Sequence, residues 1–262
     1  ADHLGVPPGR VTVGAGATAV IAQVIATCTR ANSSGGIPSI VTPSIVTSVP
    51  TFDGYPILAE LAGMRVIPVP LNADGGHHLD ALLDAIDPTT RLIALSSPHN
   101  PTGAVIDDAE LVEMLGAIPS DVVVILDQAY IEYADAAPDA VDLIGRFPNL
   151  VVIRTFSKAY GLAGLRVGYG FGGSVIGAIR EHEMPFGVGS AASAAVPVAL
   201  SARAELAERV RAMRVQRERL RSMLADIGMA TPPSQANCLL LPGAEGHALG
   251  ETLRTCGVDT KD

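Results

Sequence analysis

Lys158 is the residue in this sequence best equipped to do chemistry of its own. The chain uses arginine for sixteen of its eighteen basic residues, and its one other lysine, Lys261, stands next to the end. Lys158 lies in RTFSKAYGLAGLRVGYG, residues 154–170, directly after an apolar run. A lysine amine condenses with an aldehyde to a Schiff base when burial or a nearby cation lowers its pKa. Arg154 and Arg166 are close to it in sequence. A surface lysine in a loop is the plain alternative. Asp127 ends a second apolar run, VVVIL. A carboxylate at the end of a buried strand is costly unless paired. A protonated ring nitrogen would be a suitable partner, and the pairing would keep that ring charged, as an electron sink requires. A helix N-cap at the DQAY turn is the other reading of Asp127.

Asn100, in SSPHNPTG (96–103), and Tyr130, in DQAY (127–130), can each hydrogen-bond a phenolic oxygen. Turn chemistry would also account for either one alone. Arg166 can grip a phosphate as a two-pronged fork, with Thr155 and Ser157 as hydroxyl donors. GAGATA (14–19) sits between a strand-like and a helix-like stretch, so the backbone N–H groups of Ala17 and Thr18 would point at an anion. Phe52, in the polar turn PTFDGY (50–55), could stack on a ring, or be a plain core aromatic. Together these residues supply an aldehyde-binding amine, a pyridinium partner, phenol-oxygen donors, a phosphate cradle and a stacking face. That is the set pyridoxal 5′-phosphate (PLP) requires. No metal ligand set is apparent.

The elements that must position these groups alternate between strand and helix. Strand-like runs are Arg10–Val13, Ile45–Val49, Arg65–Val69, Arg91–Ser96, Val122–Asp127, Leu150–Thr155 and Leu165–Gly170. Helical patterns are Ala17–Thr29, Tyr55–Ala62, Leu79–Ile86 and Ala109–Ala117. Apolar strands alternating with helices predict an α/β fold: a three-layer sandwich around a mostly parallel sheet, buried on both faces. From Pro185 the pattern turns helical, with a long amphipathic helix over Ala204–Ile227 closed by Gly228, and Asn237–Leu241 reads as a strand. These features divide the chain into a large α/β domain, 1–185, and a smaller α+β domain, 186–262. The polar stretches fall where strands end, the edge at which open α/β sheets bind ligands.

At 48% hydrophobic and 17% charged residues the chain is globular, and a net charge of −9 argues against nucleic-acid or anionic-membrane partners. The arginines of 203–221 are a local exception. Interleaved with Glu205, Glu208 and Glu218, they read as a solvated helix face. Cys28, Cys238 and Cys256 are far apart and form no CxxC pair, which points to a reducing compartment, with neither a disulfide frame nor a zinc site. No signal peptide and no uninterrupted 18-residue apolar run is visible, so a soluble cytoplasmic protein is expected. PSIVTPSIVT (38–47) is a direct repeat of five residues, too short for a structural repeat.

SSPHNPTG, DQAY and FSKAYGLAGLRVGY resemble the signatures of fold-type-I PLP-dependent aminotransferases, nearest to the histidinol-phosphate and aromatic amino acid branch. The resemblance extends over essentially the whole chain. It implies that Lys158 is the Schiff-base lysine and proton shuttle, that Asp127 partners the pyridine nitrogen, and that Asn100 and Tyr130 bind the ring oxygen. It also implies that Thr155, Ser157, Arg166 and the backbone at Ala17 and Thr18 hold the phosphate, that Phe52 stacks on the ring, and that Asn237 lies beside the substrate. By the same token the donor is histidinol phosphate or an aromatic amino acid, the acceptor 2-oxoglutarate, and the assembly a homodimer. Thr18 departs from the acidic residue often found in the histidinol-phosphate branch, and Gln128 stands where Glu is common. Against the family pattern, both the N-terminal arm and the C-terminal strand with its carboxylate-binding arginine are missing from these 262 residues.

Three rival readings exist. VTVGAGATAVIAQV contains GxGxxA, as a dinucleotide-binding fold would, and Arg30 could serve NADP. Yet no Asp or Glu lies between His3 and Phe52 to bind a ribose, and SKAYGLAGLR is left unexplained. A PLP-dependent decarboxylase or lyase would share the cofactor residues. A truncated, non-catalytic chain is the third.

Overall fold

β-Branched runs separated by short helices fold here into one seven-stranded sheet. The computed structural model describes residues 1–30, 42–136 and 138–260. Its strands are β1 (Val11–Gly14), β2 (Ser44–Val49), β3 (Arg65–Pro70), β4 (Thr90–Ser96), β5 (Val123–Asp127), β6 (Leu150–Thr155) and β7 (Gly168–Gly172). Their order across the sheet is β1-β7-β6-β5-β4-β2-β3. The run from β6 to β3 is parallel throughout, and β7 is antiparallel to both of its neighbours.

The helices of this sheet are α1 (Ala17–Arg30), α2 (Gly54–Leu61), α3 (Leu79–Asp84), α4 (Asp108–Ala117), α5 (Ala140–Arg146) and α6 (Ile176–Arg180). Strand side chains alternate between faces, and the two core clusters follow that alternation. Leu92, Ala94, Ile125, Val151 and Ile153 pack with α1, α2 and α6. Ile93, Leu95, Val124, Leu126 and Val152 pack with α3, α4 and α5. The expected three-layer, mostly parallel α/β sandwich is therefore present.

From β2 the chain moves outward to β3, then returns to the other side of β2 as β4 and continues inward to β5 and β6. This reversal leaves a crevice at the C-terminal ends of β2, β4, β5 and β6, where open α/β sheets bind ligands. The GxGxxA stretch does lie between β1 and α1, but the chain next enters β2, with β7, β6, β5 and β4 between. The adjacent parallel β-α-β unit of a dinucleotide fold is thus not formed.

The remaining helices are α7 (Ser190–Ser201), α8 (Arg203–Asp226) and α9 (Gly243–Thr255). Three expectations need correction. The strand placed over Leu165–Gly170 begins only at Gly168, because Ala163–Leu165 is a 3-10 turn and Arg166 is left-handed at φ 50°. Asn237–Leu241 is neither helix nor strand. No described strand lies beside it, and its neighbours are tied instead to the 101–103 turn: Gln235 N–H donates to Gly103 O at 2.7 Å, and the Cys238 thiol to Pro101 O at 3.6 Å.

The third correction concerns the arginines of α8, which do not form a purely solvated face. Arg217 is buried and Arg214 half-buried, and both, with the exposed Arg209, donate to main-chain carbonyls. Of the repeat at 38–47, residues 38–41 lie outside the described residues, as does Lys261, and Ser44–Thr47 form the start of β2. Among the described residues no helix is long and apolar enough to cross a membrane.

Candidate active site

The strand-end crevice opens into a cavity walled by four strand ends and the start of α1. β6 runs into the loop that carries Thr155, Ser157 and Lys158; β5 contributes Asp127, Ala129 and Tyr130; β4 contributes Ser96 and Asn100. The turn into α2 contributes Phe52 and Tyr55, and α1 contributes Ala17 and Thr18. Arg166 completes the wall. All ten residues expected to bind the cofactor are thereby brought to one cavity. Asn237 is exposed and is not part of its wall.

Asp127 is 5% exposed and on the same sheet face as Ile125, toward α2. Its Oδ2 accepts a hydrogen bond from the Tyr55 hydroxyl at 2.8 Å, and its Oδ1 accepts the Ala129 N–H at 2.9 Å. Asp127 thus caps a turn through one oxygen, but the helix N-cap expected there as an alternative is not formed, because the 3-10 helix Ile131–Tyr133 starts from Tyr130. Burial pushes the carboxyl above its usual range, while Tyr55, the Ala129 N–H and the Lys158 charge pull it back. The Tyr55 phenol is pushed far up by burial and by the adjacent Asp127 charge, so it stays a donor. Lys158 Nζ stands 4.9 Å from the centre of the Tyr130 ring. Burial raises the Tyr130 phenol as well.

At the other end of the cavity, Arg166 is laid across the start of α1. Gly16 has φ +82°, and a Cβ there would meet Arg166 Nη2 at 2.3 Å. Gly168 on β7 lets the helix start approach equally closely, since its Cβ would meet Ala17 N at 2.3 Å. Arg166 Nη1 donates to Ser157 Oγ at 3.5 Å, and the Thr155 hydroxyl accepts the Ser157 N–H at 3.1 Å. A guanidinium, two hydroxyls and a helix N-terminus thus converge, the donor set a phosphate takes. Arg154, expected as a cation near Lys158, is not part of it. It alternates to the opposite sheet face, where its Nε and Nη2 both donate to Gln128 Oε1 at 3.0 and 2.8 Å.

Sequence reasoning missed Tyr55, Ser96 and a histidine pair behind the wall. The His99 and His77 rings meet edge to face at 4.4 Å. His99 Nε2–H donates to Pro50 O at 3.1 Å, so its Nδ1 accepts from the Ser96 hydroxyl at 2.8 Å. His77 likewise donates to Ser96 O at 2.9 Å and accepts from Ser48 at 2.7 Å. Burial lowers His77 to about 4. Burial and the neighbouring His77 lower His99 to about 3. Both rings are neutral staples between the ends of β2 and β4. The one available signal for Tyr55 was its spacing, three residues after Phe52, which puts both rings on one side of the helix start; they meet edge-on at 5.5 Å.

The sequence model of the family described as aminotransferase class I and II matches residues 1–258. The chain belongs to that family. Its members use PLP, and the cavity of this aminotransferase offers the donor set that cofactor takes. The chain is 40% identical to the aromatic amino acid aminotransferase of Corynebacterium efficiens over 263 residues, 98% of this chain and 72% of that protein. Among solved structures, histidinol-phosphate aminotransferase from Sinorhizobium meliloti in complex with PLP superposes with a TM-score of 0.84 at 27% identity, covering 99% of this chain and 70% of that one. A putative histidinol-phosphate aminotransferase from Erwinia carotovora atroseptica shares the fold, with a TM-score of 0.85 at 21% identity over 98% and 74% of the two chains.

Proposed function

We propose that this aminotransferase moves the amino group of an aromatic amino acid to 2-oxoglutarate. The observation that carries the reading is the 40% identity, along 98% of the chain, to a relative named aromatic amino acid aminotransferase. Histidinol phosphate is the second donor to consider, favoured by the 27% identical structural neighbour of that name.

The residues present fit PLP on two observations. A buried carboxylate, Asp127, faces the cavity with lone pairs to spare, and the Gly16 cradle is shaped so that Arg166 and the α1 start meet at one anion. When bound, PLP would supply an aldehyde carbon and a ring that takes up electron density. Asp127 would hold the ring nitrogen's proton, and Asn100 and the Tyr130 hydroxyl would hold the ring oxygen. Phe52 would cover one ring face. Arg166, Ser157, Thr155 and the N–H groups of Ala17 and Thr18 would hold the phosphate. Lys158 Nζ would anchor the cofactor at rest and, once displaced, take the proton from the substrate α-carbon. Asn237 would flank the substrate from the 234–238 segment seated on the 101–103 turn.

In this reading residues 1–185 are the cofactor-binding domain and 186–262 the smaller one, in a cytoplasmic homodimer. The test is to load the chain with PLP, reduce with borohydride and map the labelled peptide, then compare phenylalanine, tyrosine and histidinol phosphate as donors with 2-oxoglutarate. Label on Lys158 with aromatic turnover supports the proposal. Label with histidinol phosphate turnover alone replaces the donor, and multiple turnovers without any keto-acid acceptor point to a decarboxylase or lyase.

A further inference from the structure

Three guanidinium groups of helix α8 reach main-chain carbonyls around the site, from a buried Arg217, a half-buried Arg214 and an exposed Arg209. Arg209 Nη1 donates to Tyr160 O at 3.1 Å and Ala159 O at 3.4 Å, immediately beyond Lys158. Arg214 donates to Tyr133 O at 3.1 Å and to Ala134 O, shortly after Tyr130, and pairs with Asp135 at 3.2 Å. Arg217, 9% exposed, donates to Ala236 O at 2.9 Å. The segment around Ala236 is itself bonded to Pro101 O and Gly103 O, in the turn that follows Asn100. Val210, on the same side of α8, packs with Tyr130, Tyr133, Ala159 and Ala236. Arg209 and Arg214 therefore end on the loops that carry Lys158 and Tyr130, and Arg217 ends on the 234–238 segment, which in turn bonds the turn after Asn100.

We propose that α8 is the positioning element of the cofactor site, with Arg209, Arg214 and Arg217 holding those three loops at fixed distances from one another. Loop carbonyls need donors, and a guanidinium is always charged and presents several donors in a rigid plane. One arginine can therefore bridge consecutive carbonyls, as Arg209 and Arg214 do. A lysine ammonium is a point donor on a flexible stem and spans them less well. A displacement of α8 would reach Lys158, Tyr130 and Asn100 together. Arg211, exposed on the same helix, is the surface control. The inference rests on the reading that Lys158, Tyr130 and Asn100 hold PLP.

The test compares R209M and R209K with the control R211M in the full chain. The readouts are PLP affinity by equilibrium titration, the pH midpoint of the bound cofactor's visible band, and the thermal midpoint of each apo form. R209M is expected to weaken PLP binding about tenfold, the scale of one lost charge-assisted hydrogen bond. It should also shift the band's pH midpoint, because the backbone just beyond Lys158 loses its anchor. R209K should keep the midpoint and lose part of the affinity, and R211M should match wild type. Should R209M not fold, R209K must still bind PLP more weakly than R211M. A lower apo thermal midpoint with unchanged PLP affinity and band midpoint would overturn the inference, leaving Arg209 a merely structural residue. If wild type is labelled at Lys158 and R209M behaves like R211M, this inference alone fails. If wild type takes no label at Lys158, the functional reading fails and takes this inference with it.

Discussion

Replacing Tyr55 by Phe removes one oxygen atom from the site and leaves the ring in place. That oxygen donates to Asp127 Oδ2 at 2.8 Å, and both side chains are buried, so no water can substitute for it without a rearrangement. Burial already raises Asp127, and Tyr55 is the first of the groups that pull it back. On the proposed reading bound PLP needs Asp127 ionised, whereas the free protein can take up a proton there. The lost bond is therefore one to a charged acceptor, about 1.5–3 kcal/mol, in the cofactor-bound state, and one to a neutral group, about 0.5–1.5 kcal/mol, in the protonated free state. The difference, about 1–1.5 kcal/mol, predicts roughly five- to tenfold weaker PLP binding at pH values where the free protein holds Asp127 protonated. The sign of the pH effect follows. An acid raised by burial favours the protonated fold at low pH and disfavours it as pH climbs through the folded pKa, and removing Tyr55 raises that pKa further. Y55F should thus lose PLP affinity at a higher pH than wild type as the solution is acidified. Titration of the apoprotein with PLP, followed by the visible band at several pH values, measures both effects. Unchanged affinity and an unchanged pH profile would refute the claim that Tyr55 tunes Asp127.

Lys158→Ala should abolish turnover and borohydride-stable labelling while leaving the fold intact by circular dichroism; near-normal turnover would remove Lys158 from the mechanism. Gly16→Ala forces a side chain into a left-handed backbone and to within 2.3 Å of Arg166 Nη2. It should cost about 1–3 kcal/mol of stability in thermal or urea unfolding and weaken PLP and inorganic phosphate in parallel, and equal phosphate affinity would place the anion elsewhere. On acidification the buried histidines should lead the loss of stability. His77 protonates near 6.5 when unfolded and at about 4 when folded. Its stabilising effect is present above 6.5 and falls by about 3 kcal/mol as pH drops from there to about 4. H77Q should flatten that part of a stability-against-pH curve, and an unaltered acid limb would show that His77 is not buried neutral.

Much of the architecture was legible because the strands are apolar on both faces and end in polar residues. Leu150–Thr155 was readable to the residue, and α1 through α4 were readable within a few residues of their ends, because period and punctuation agree there. The start of β7 was not, since Leu165 and Val167 look like strand residues while Arg166 is held left-handed over Gly16. Asn237–Leu241 has strand composition, but a strand needs a neighbour to bond, and no described strand lies beside it. The α8 arginines that bond main-chain carbonyls were misread for a related reason. A helix face rich in Arg and Glu looks solvated until the carbonyls it meets are known.

By itself the sequence determined which groups are available to react, because their chemistry is a property of residue type: an amine at 158, a carboxylate ending an apolar strand at 127, a guanidinium at 166 and a glycine-bracketed helix start at 14–19. Only the tertiary structure decided what stands behind them. Tyr55 reaches Asp127 across 72 positions in the chain, His99 is fixed by the carbonyl of Pro50, and Arg209 caps carbonyls nearly 50 residues away. These are long-range hydrogen bonds between buried or loop groups. Which donor meets which acceptor depends on strand order and helix face, and no local pattern records either.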